Sequence, residues 1–572
     1  GCTAEGKDET PGIGTMALEQ LPGAIAESGS IAVDGVATAT ITSDAIKEAA
    51  AAALTAAGLN ADDYKTAVEA ENTKAEDSTI DADVAIVGAG GAGMTAAITA
   101  AAEGKSVVIL ESQPMVGGNS VRATGGMNAG KTVYQDENEF GESAGVEKTL
   151  KTAAEKYADN ETITALAKTV SEQWAAYQAD PKGYFDSVEL MELDTMIGGK
   201  GLNNPELVET LCSNSADAID WLDEHGITLH SVSSFGGASV KRIHRPVDGD
   251  GKTVSVGSYM IPLLQENCDK AGVQTLLNTT ATEILTDANG AAVGVKATGA
   301  SGETVTVNAK AVVLATGGFG ANLDMVVEYK PELKGFMTTN AAGAQGQGIE
   351  MATAIGADTV DMDQIQIHPT VEANTAALIT EGLRGDGAVL INAEGKRFID
   401  EVGTRDVVSA AEIAQTGSYS WLVVDQAMVD ASSVIQGYIK KGYTVTGETY
   451  EELGKAMGVD EAAFAETMNT WNGYVEAKND PDFGRTSFAN PLNTAPYYAI
   501  KVTAGVHHTM GGLKINTNTE VLKADGSVIP GLFAAGEVTG GVHGANRLGG
   551  NAVADFTVFG RIAGAAASKY AA

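Results

Sequence analysis

Three arginines stand in segments otherwise built from small residues: Arg384 in ITEGLRGDG (379 to 387), Arg405 in TRD (404 to 406) and Arg547 in VHGANRLGGNAVAD (542 to 555). A guanidinium is a permanently charged, planar fork of donors, so this set predicts a carboxylate pocket rather than surface decoration. His368 precedes Pro369, which holds it in an extended conformation and aims its ring. His507 and His508 are adjacent, so in a strand they point to opposite faces and only one easily reaches a substrate. Glu381 lies three residues before Arg384, close enough on a helical turn for the two side chains to meet. The seven histidines are spread over the chain without H-x-x-x-H spacing and offer little for zinc.

A pocket of this kind needs a scaffold, and the clearest one is DVAIVGAGGAG, residues 83 to 93. The apolar run Val84 to Val87 reads as a buried strand. Gly88, Gly90 and Gly93 then form G-x-G-x-x-G, and small residues carry a helix from about Gly91 to Ala102. Gly88 serves the tight turn, Gly90 the approach of backbone to a pyrophosphate, and Gly93 the close packing of helix on strand. A second apolar run, Ser106 to Leu110, ends at Glu111, where an acid meets an adenosine ribose. Strand, helix, strand and acid follow within about 30 residues, which predicts a dinucleotide site.

The 75 acidic and 37 basic residues give a net charge of -38. That field argues against nucleic acid or an anionic membrane as partner, and an anionic substrate would need positive charge concentrated locally. Three Cys (2, 212 and 268) without C-x-x-C exclude a disulfide scaffold, attached c-type haem and an iron–sulfur cluster held by this chain alone. No apolar run approaches the length of a membrane span.

Further Gly-rich segments follow in GGNSVRATGGMNAG (117 to 130), ATGGFG (315 to 320), GAQGQG (343 to 348), GVHHTMGGL (505 to 513) and PGLFAAGEVTGG (530 to 541). Between about 363 and 498 the composition changes, with strands such as Trp421 to Val424 and helices such as Glu461 to Glu476. This predicts an α/β protein whose cofactor domain is interrupted by an insertion. Residues 183 to 204 read as a long excursion near the site, with Gly198, Gly199 and Gly201 as its mobile part.

With these segments in order, the chain from about Ile80 to its end resembles the flavoprotein family of soluble bacterial fumarate reductases, related to succinate dehydrogenase flavoprotein subunits and aspartate oxidase. HPT, TEGLRGDGA, GKRF, TRD, HHTMGG and GEVTGGVHGANRLGGNA carry the resemblance. It implies a two-part Rossmann-like FAD-binding domain (80–362 and 499–572) and an inserted α+β capping domain (363–498), preceded by a small N-terminal helical segment (1–79). It assigns His368 and Thr380 to one substrate carboxylate and His507 and Arg547 to the other. Arg405 becomes the proton donor, resupplied through Glu381 and Arg384. To FAD it assigns Gly88, Gly90, Gly93, Glu111, Gly118, Asn119, Ser120, Gly125, Gly126, Gly317, Gly346, His508, Glu537, Gly549, Asn551 and Ala552. Asn119 stands where succinate dehydrogenases carry a flavin-linked His, which implies non-covalent FAD.

The expected activity is reduction of a small unsaturated carboxylate, with fumarate first, urocanate or another acrylate second, and a non-enzymatic flavin electron-transfer protein as the rival class. Leu378 and Met196 are expected as apolar walls. With no haem, iron–sulfur relay or second nucleotide fingerprint, electrons are expected from a separate donor protein or a membrane quinol-linked donor. Gly1-Cys2 resembles the processed end of a bacterial lipoprotein, giving an extracytoplasmic, lipid-anchored expectation with a cytoplasmic alternative. The segment Asp34 to Leu54 resembles the end of a small domain that carries FMN on a Thr within S-G-A-T, here Ala37, Thr38, Ala39 and Thr40. Ser and Gly of that motif are lost and the preceding chain is short, so the expectation is a remnant or an unrelated helical cap with Ser43 as N-cap, without covalent FMN at Thr40.

Overall fold

The strands that place the glycine turn are apolar and fully buried at their C-terminal ends, as central parallel strands covered on both faces must be. In the computed structural model, which describes residues 2–6, 14–33, 35, 40–65 and 75–572, they form an eight-stranded mixed sheet. Its main path runs Glu520–Leu522, Val528–Ala534, Thr304–Leu314, Ser78–Val87, Val107–Leu110 and Gln274–Leu276. Ser78–Val87 pairs in parallel with Val107–Leu110 on one side and Thr304–Leu314 on the other. The antiparallel pair Thr280–Thr286 and Ala292–Thr298 joins the N-terminal half of Thr304–Leu314. Helices Gly91–Ala102 and Asn551–Tyr570 pack on each other and on this sheet, within the largest apolar core.

A second, antiparallel sheet contains Ile365–Glu372, Tyr497–Thr509, Ser420–Asp425 and Val389–Ile391, with Thr444–Gly447 beside Tyr497–Thr509. Tyr497–Thr509 is its longest strand. One end pairs with Ser420–Asp425, and the other, carrying His507, pairs with Ile365–Glu372. That second pairing is irregular on both sides of His368, where register shifts separate Gln366 from Ile367 and His368 from Val371. Such bulges bend a strand and re-aim its side chains.

Three sequence expectations are corrected here. Residues 183 to 204 are not a mobile excursion: Val188–Gly198 is a helix whose Leu190, Met191, Leu193 and Met196 enter a separate core with Trp174 and Phe185. A Cβ on Gly198 would lie 2.5 Å from Leu548, so this segment is packed where mobility was expected. Met196 therefore belongs to that core and is no substrate wall. Ser43 is buried inside the helix Thr40–Ala56 instead of capping it. Helices Gly14–Ser28 and Thr40–Ala56 share a small core of Ala17, Leu21, Ile25, Ile31 and Ile46. Of the tetrad likened to the FMN motif, Ala37, Thr38 and Ala39 lie outside the described residues. No helix among the described residues is long and apolar enough to cross a membrane.

Candidate active site

One cleft runs from the glycine turn to the arginines. At its cofactor end the backbone is shaped by missing side chains. Gly88 has φ +103°, and a Cβ there would lie 2.4 Å from the carbonyl oxygen of Ala315; at Gly93 it would lie 1.9 Å from the carbonyl oxygen of Gly88. Any larger residue would force helix and strand apart. Cβ atoms on Gly118 and Gly317 would meet nothing within 4 Å, so both face open space in the cleft wall. Helices Gly91–Ala102, Gln347–Ala354 and Asn551–Tyr570 each follow a glycine that offers no side-chain cap, and Gly91, Gln347 and Ala552 in their first turns line the cleft. Uncapped amides and the helix dipoles favour an anionic ligand. Glu111 closes this end, its carboxylate accepting from the amides of Ala89 (2.8 Å) and Gln113 (2.9 Å). These features fit a dinucleotide such as FAD.

At the other end, Arg405 opens the helix Arg405–Ile413 and is buried. Its Nε donates to Glu381 Oε2 at 2.6 Å, its Nη2 lies 2.6 Å from the same oxygen, and its Nη1 donates to Gln366 Oε1 at 3.0 Å. Gln366 Nε2 in turn donates to the carbonyl of Arg547 and to Asn546 Oδ1, both at 2.7 Å, so one amide ties Arg405 to the Arg547 segment. Arg384 Nη2 lies 3.6 Å from Glu381 Oε1. Burial alone would raise the Glu381 carboxyl, but Arg405 and Arg384 outweigh it and hold it below the ordinary range. Burial, with Arg405 adding to it, brings the Arg547 guanidinium down to about 9.

The two histidines expected at substrate face each other, ring centroids 4.8 Å apart. Thr370 N–H donates to His368 Nδ1 at 3.1 Å, which leaves the ring proton of neutral His368 on Nε2 as a donor. His507 Nδ1 is tied to Thr339 Oγ1 at 2.7 Å. His508 points elsewhere, edge-on to His543, whose Nε2 lies 2.8 Å from Asp555 Oδ2. Burial first, then neighbouring guanidiniums, pushes His368, His507 and His508 well below 6.5. Burial, outweighing backbone hydrogen bonds that favour the charged ring, brings His244 down to about 4. Each binds a proton more weakly folded than unfolded. Stability should therefore be complete above about pH 6.5 and fall as pH drops from 6.5 towards 4, by up to roughly 1.4 kcal/mol per pH unit for each histidine. Urea unfolding between pH 5 and 7 checks this; an unchanged midpoint over that range would refute it.

Most expected site residues line the one cleft: Gly88, Gly90, Glu111, Gly118, Asn119, Ser120, Gly125, Gly126, Gly317, His368, Leu378, Thr380, Glu381, Arg405, His507, His508, Glu537, Arg547 and Ala552. Five do not. Gly93 lies behind the turn, packed on the strand, and Gly346 backs onto Met325 and Phe319. Gly549 is small for another reason: a Cβ there would lie 2.6 Å from Glu381 Oε2, so it admits that carboxylate to its place beside Arg405. Asn551 turns away, its amide bonded to Asn128 and Thr195. Arg384 is wholly buried behind Glu381. Sequence reasoning missed Gln366, Thr339 and Thr370, whose signal was only their proximity to the histidine motifs or the strand that carries them.

The chain matches the FAD binding domain family over residues 83–180 and 173–553, which places it among flavoproteins. It is 42% identical over 488 residues to a fumarate reductase (cytochrome) of Shewanella frigidimarina, covering 85% of this chain and 77% of the relative. It is also 41% identical over 558 residues to the NADH:fumarate oxidoreductase of Klebsiella pneumoniae (strain 342), covering 97% of this chain and 54% of that relative. The open conformation of a flavocytochrome c3 fumarate reductase superposes with a TM-score of 0.64 at 38% identity, over 86% of this chain and 79% of the other. The chain belongs to the FAD-dependent fumarate-reductase-like flavoprotein family.

The same comparisons overturn the expectation for the N-terminus, because residues 1–55 match the FMN-binding domain family. Loss of Ser and Gly from one tetrad, together with a short preceding segment, was too local a criterion to dismiss an FMN module.

Proposed function

We propose that the chain reduces the double bond of a small unsaturated dicarboxylate, converting fumarate to succinate. The observation that carries this reading is the charge of the pocket: Arg384, Arg405 and Arg547 surround one carboxylate, Glu381, in a chain of net charge -38. Positive charge is thus concentrated around Glu381, as an anionic substrate requires. His368 Nε2 and Thr380 take one substrate carboxylate; His507 and Arg547 take the other. FAD, when bound in the glycine cradle, supplies a hydride. Arg405 stabilises the negative charge developing on the neighbouring carbon and then gives up a proton to it. Glu381, held ionised against Arg405, passes a proton from Arg384 to restore the donor. Electrons enter from a separate donor, with the FMN-binding segment as the module nearest in kind to such a relay.

Leu378 in the cleft wall favours a second reading, an acrylate with one carboxylate and an apolar tail. A reduced-viologen oxidation screen over fumarate, urocanate, cinnamate, methacrylate and crotonate separates the two. Fumarate should turn over fastest. An inert fumarate beside a rapidly reduced monocarboxylate would reject the two-clamp assignment.

A further inference from the structure

Arg384 is fully buried, so a relay that ended there would have no access to solvent. Its Nε and Nη2 make no hydrogen bond among the described residues. The helix Arg405–Ile413 buries Arg405, Val408, Ser409 and Glu412, the spacing of a single helical face. Glu412 therefore lies two turns beyond Arg405 on the same side, about 10 Å along the axis. It is wholly buried; Ser420 Oγ donates to its Oε1 at 2.5 Å, while its Oε2 has no hydrogen-bond partner. Arg384 is the charged group that acts on it, and Glu412 acts in turn on Arg384. Immediately after Glu412 the chain becomes exposed at Ile413 and remains largely so to Ser418. A buried carboxyl with one unpartnered oxygen thus lies on the Arg405 face of this helix, next in sequence to an exposed turn, and acts on a buried arginine whose Nε and Nη2 have no hydrogen-bond partner among the described residues.

We propose that Glu412 is the outer station of the proton route, giving its carboxyl proton to Arg384 and recovering one from solvent at the turn 413 to 418. The inference rests on the reduction reaction proposed above. One turnover uses one proton. The new C–H bond takes it from Arg405, Glu381 carries its replacement from Arg384, and the O–H bond of Glu412 breaks as the N–H bond of Arg384 re-forms, a bridging water carrying the proton across because no hydrogen bond or ion pair joins the two. The carboxylate left on Glu412 is then protonated by water. Burial raises this carboxyl to about 8 against the opposing effects of Ser420 and Arg384, so it holds its proton at neutral pH.

The test is the pH profile of viologen-driven kcat in the full chain loaded with flavin. Wild-type kcat should fall above about pH 8. Glu412→Gln, which keeps the bond to Ser420 but carries no acidic proton, should lower kcat about 10²-fold at unchanged KM, enlarge the solvent isotope effect and abolish that limb. Glu412→Asp should restore part of the rate. Ser420→Ala removes a donor that favours the carboxylate and should move the limb to higher pH; it also provides a test if Glu412→Gln does not fold. A Glu412→Gln variant within twofold of wild type, or an unmoved limb in Ser420→Ala, overturns the relay. A wild-type chain inert towards every unsaturated carboxylate rejects the underlying reaction instead.

Discussion

Replacing Arg405 with Lys should lower fumarate turnover by about 10⁴-fold while leaving bound FAD unchanged. Arg405 makes three directed contacts, two to Glu381 Oε2 and one to Gln366 Oε1, and an ammonium on a flexible stem cannot keep all three while facing substrate. Lys retains the charge, so the dianion should still bind. What is lost is the fork that aligns the proton and the path from Glu381 that replaces it; positioned proton transfer alone is worth about 10²–10⁴ and a transition-state donor about 10²–10³. Viologen oxidation, flavin content and fumarate binding, measured on one preparation, separate these effects. Retention of a tenth of wild-type turnover would show that Arg405 is not the donor.

The second large effect should be on stability. Glu401 is fully buried and receives Arg397 Nε at 2.7 Å, Arg397 Nη2 at 2.8 Å and Arg485 Nη1 at 3.1 Å. Both guanidiniums also lie over the Trp471 ring, at 4.1 and 5.0 Å. Asp480 pairs with the Arg397 guanidinium at 3.0 Å and accepts from the Arg485 amide. Glu401→Gln would leave the Arg485 charge buried without its carboxylate, and breaking one side of a buried pair costs about 3–5 kcal/mol. The same network reaches the site: Arg384 Nη1 donates to the Glu401 carbonyl at 2.5 Å, and Arg485 Nη2 to the Arg384 carbonyl at 2.7 Å. Turnover should therefore fall along with the unfolding midpoint. A midpoint equal to that of wild type would mean that the ion pairs contribute little to the fold.

The contrast between these two residues shows what can be read from one sequence. Arg405, the glycines of the turn and Glu111 are demanded by local geometry: a turn with positive φ, a helix resting on its strand, a fork for a carboxylate. Their types and spacings therefore carry information within a few residues. Glu401 meets Arg485 across 84 positions, and Gln366 meets Asn546 across 180, so only the folded chain reveals either pairing. Leu190, Met191, Leu193 and Met196 do have helical spacing, but the glycines after them drew the eye to a loop. At the N-terminus a motif too strictly applied hid a module that the longer segment still matches.

The strand Tyr497–Thr509 belongs to two neighbourhoods at once, paired with Ser420–Asp425 at one end and bearing His507 at the other. An extended strand resists stretching far more than twisting, and the ten steps from Tyr497 to His507 span about 34 Å. One continuous stretch of backbone therefore links Tyr497 to His507. Tyr450, whose ring lies 4.4 Å from that of Tyr497, thus packs at the far end of the strand that carries His507, in the inserted region rather than beside the glycine turn.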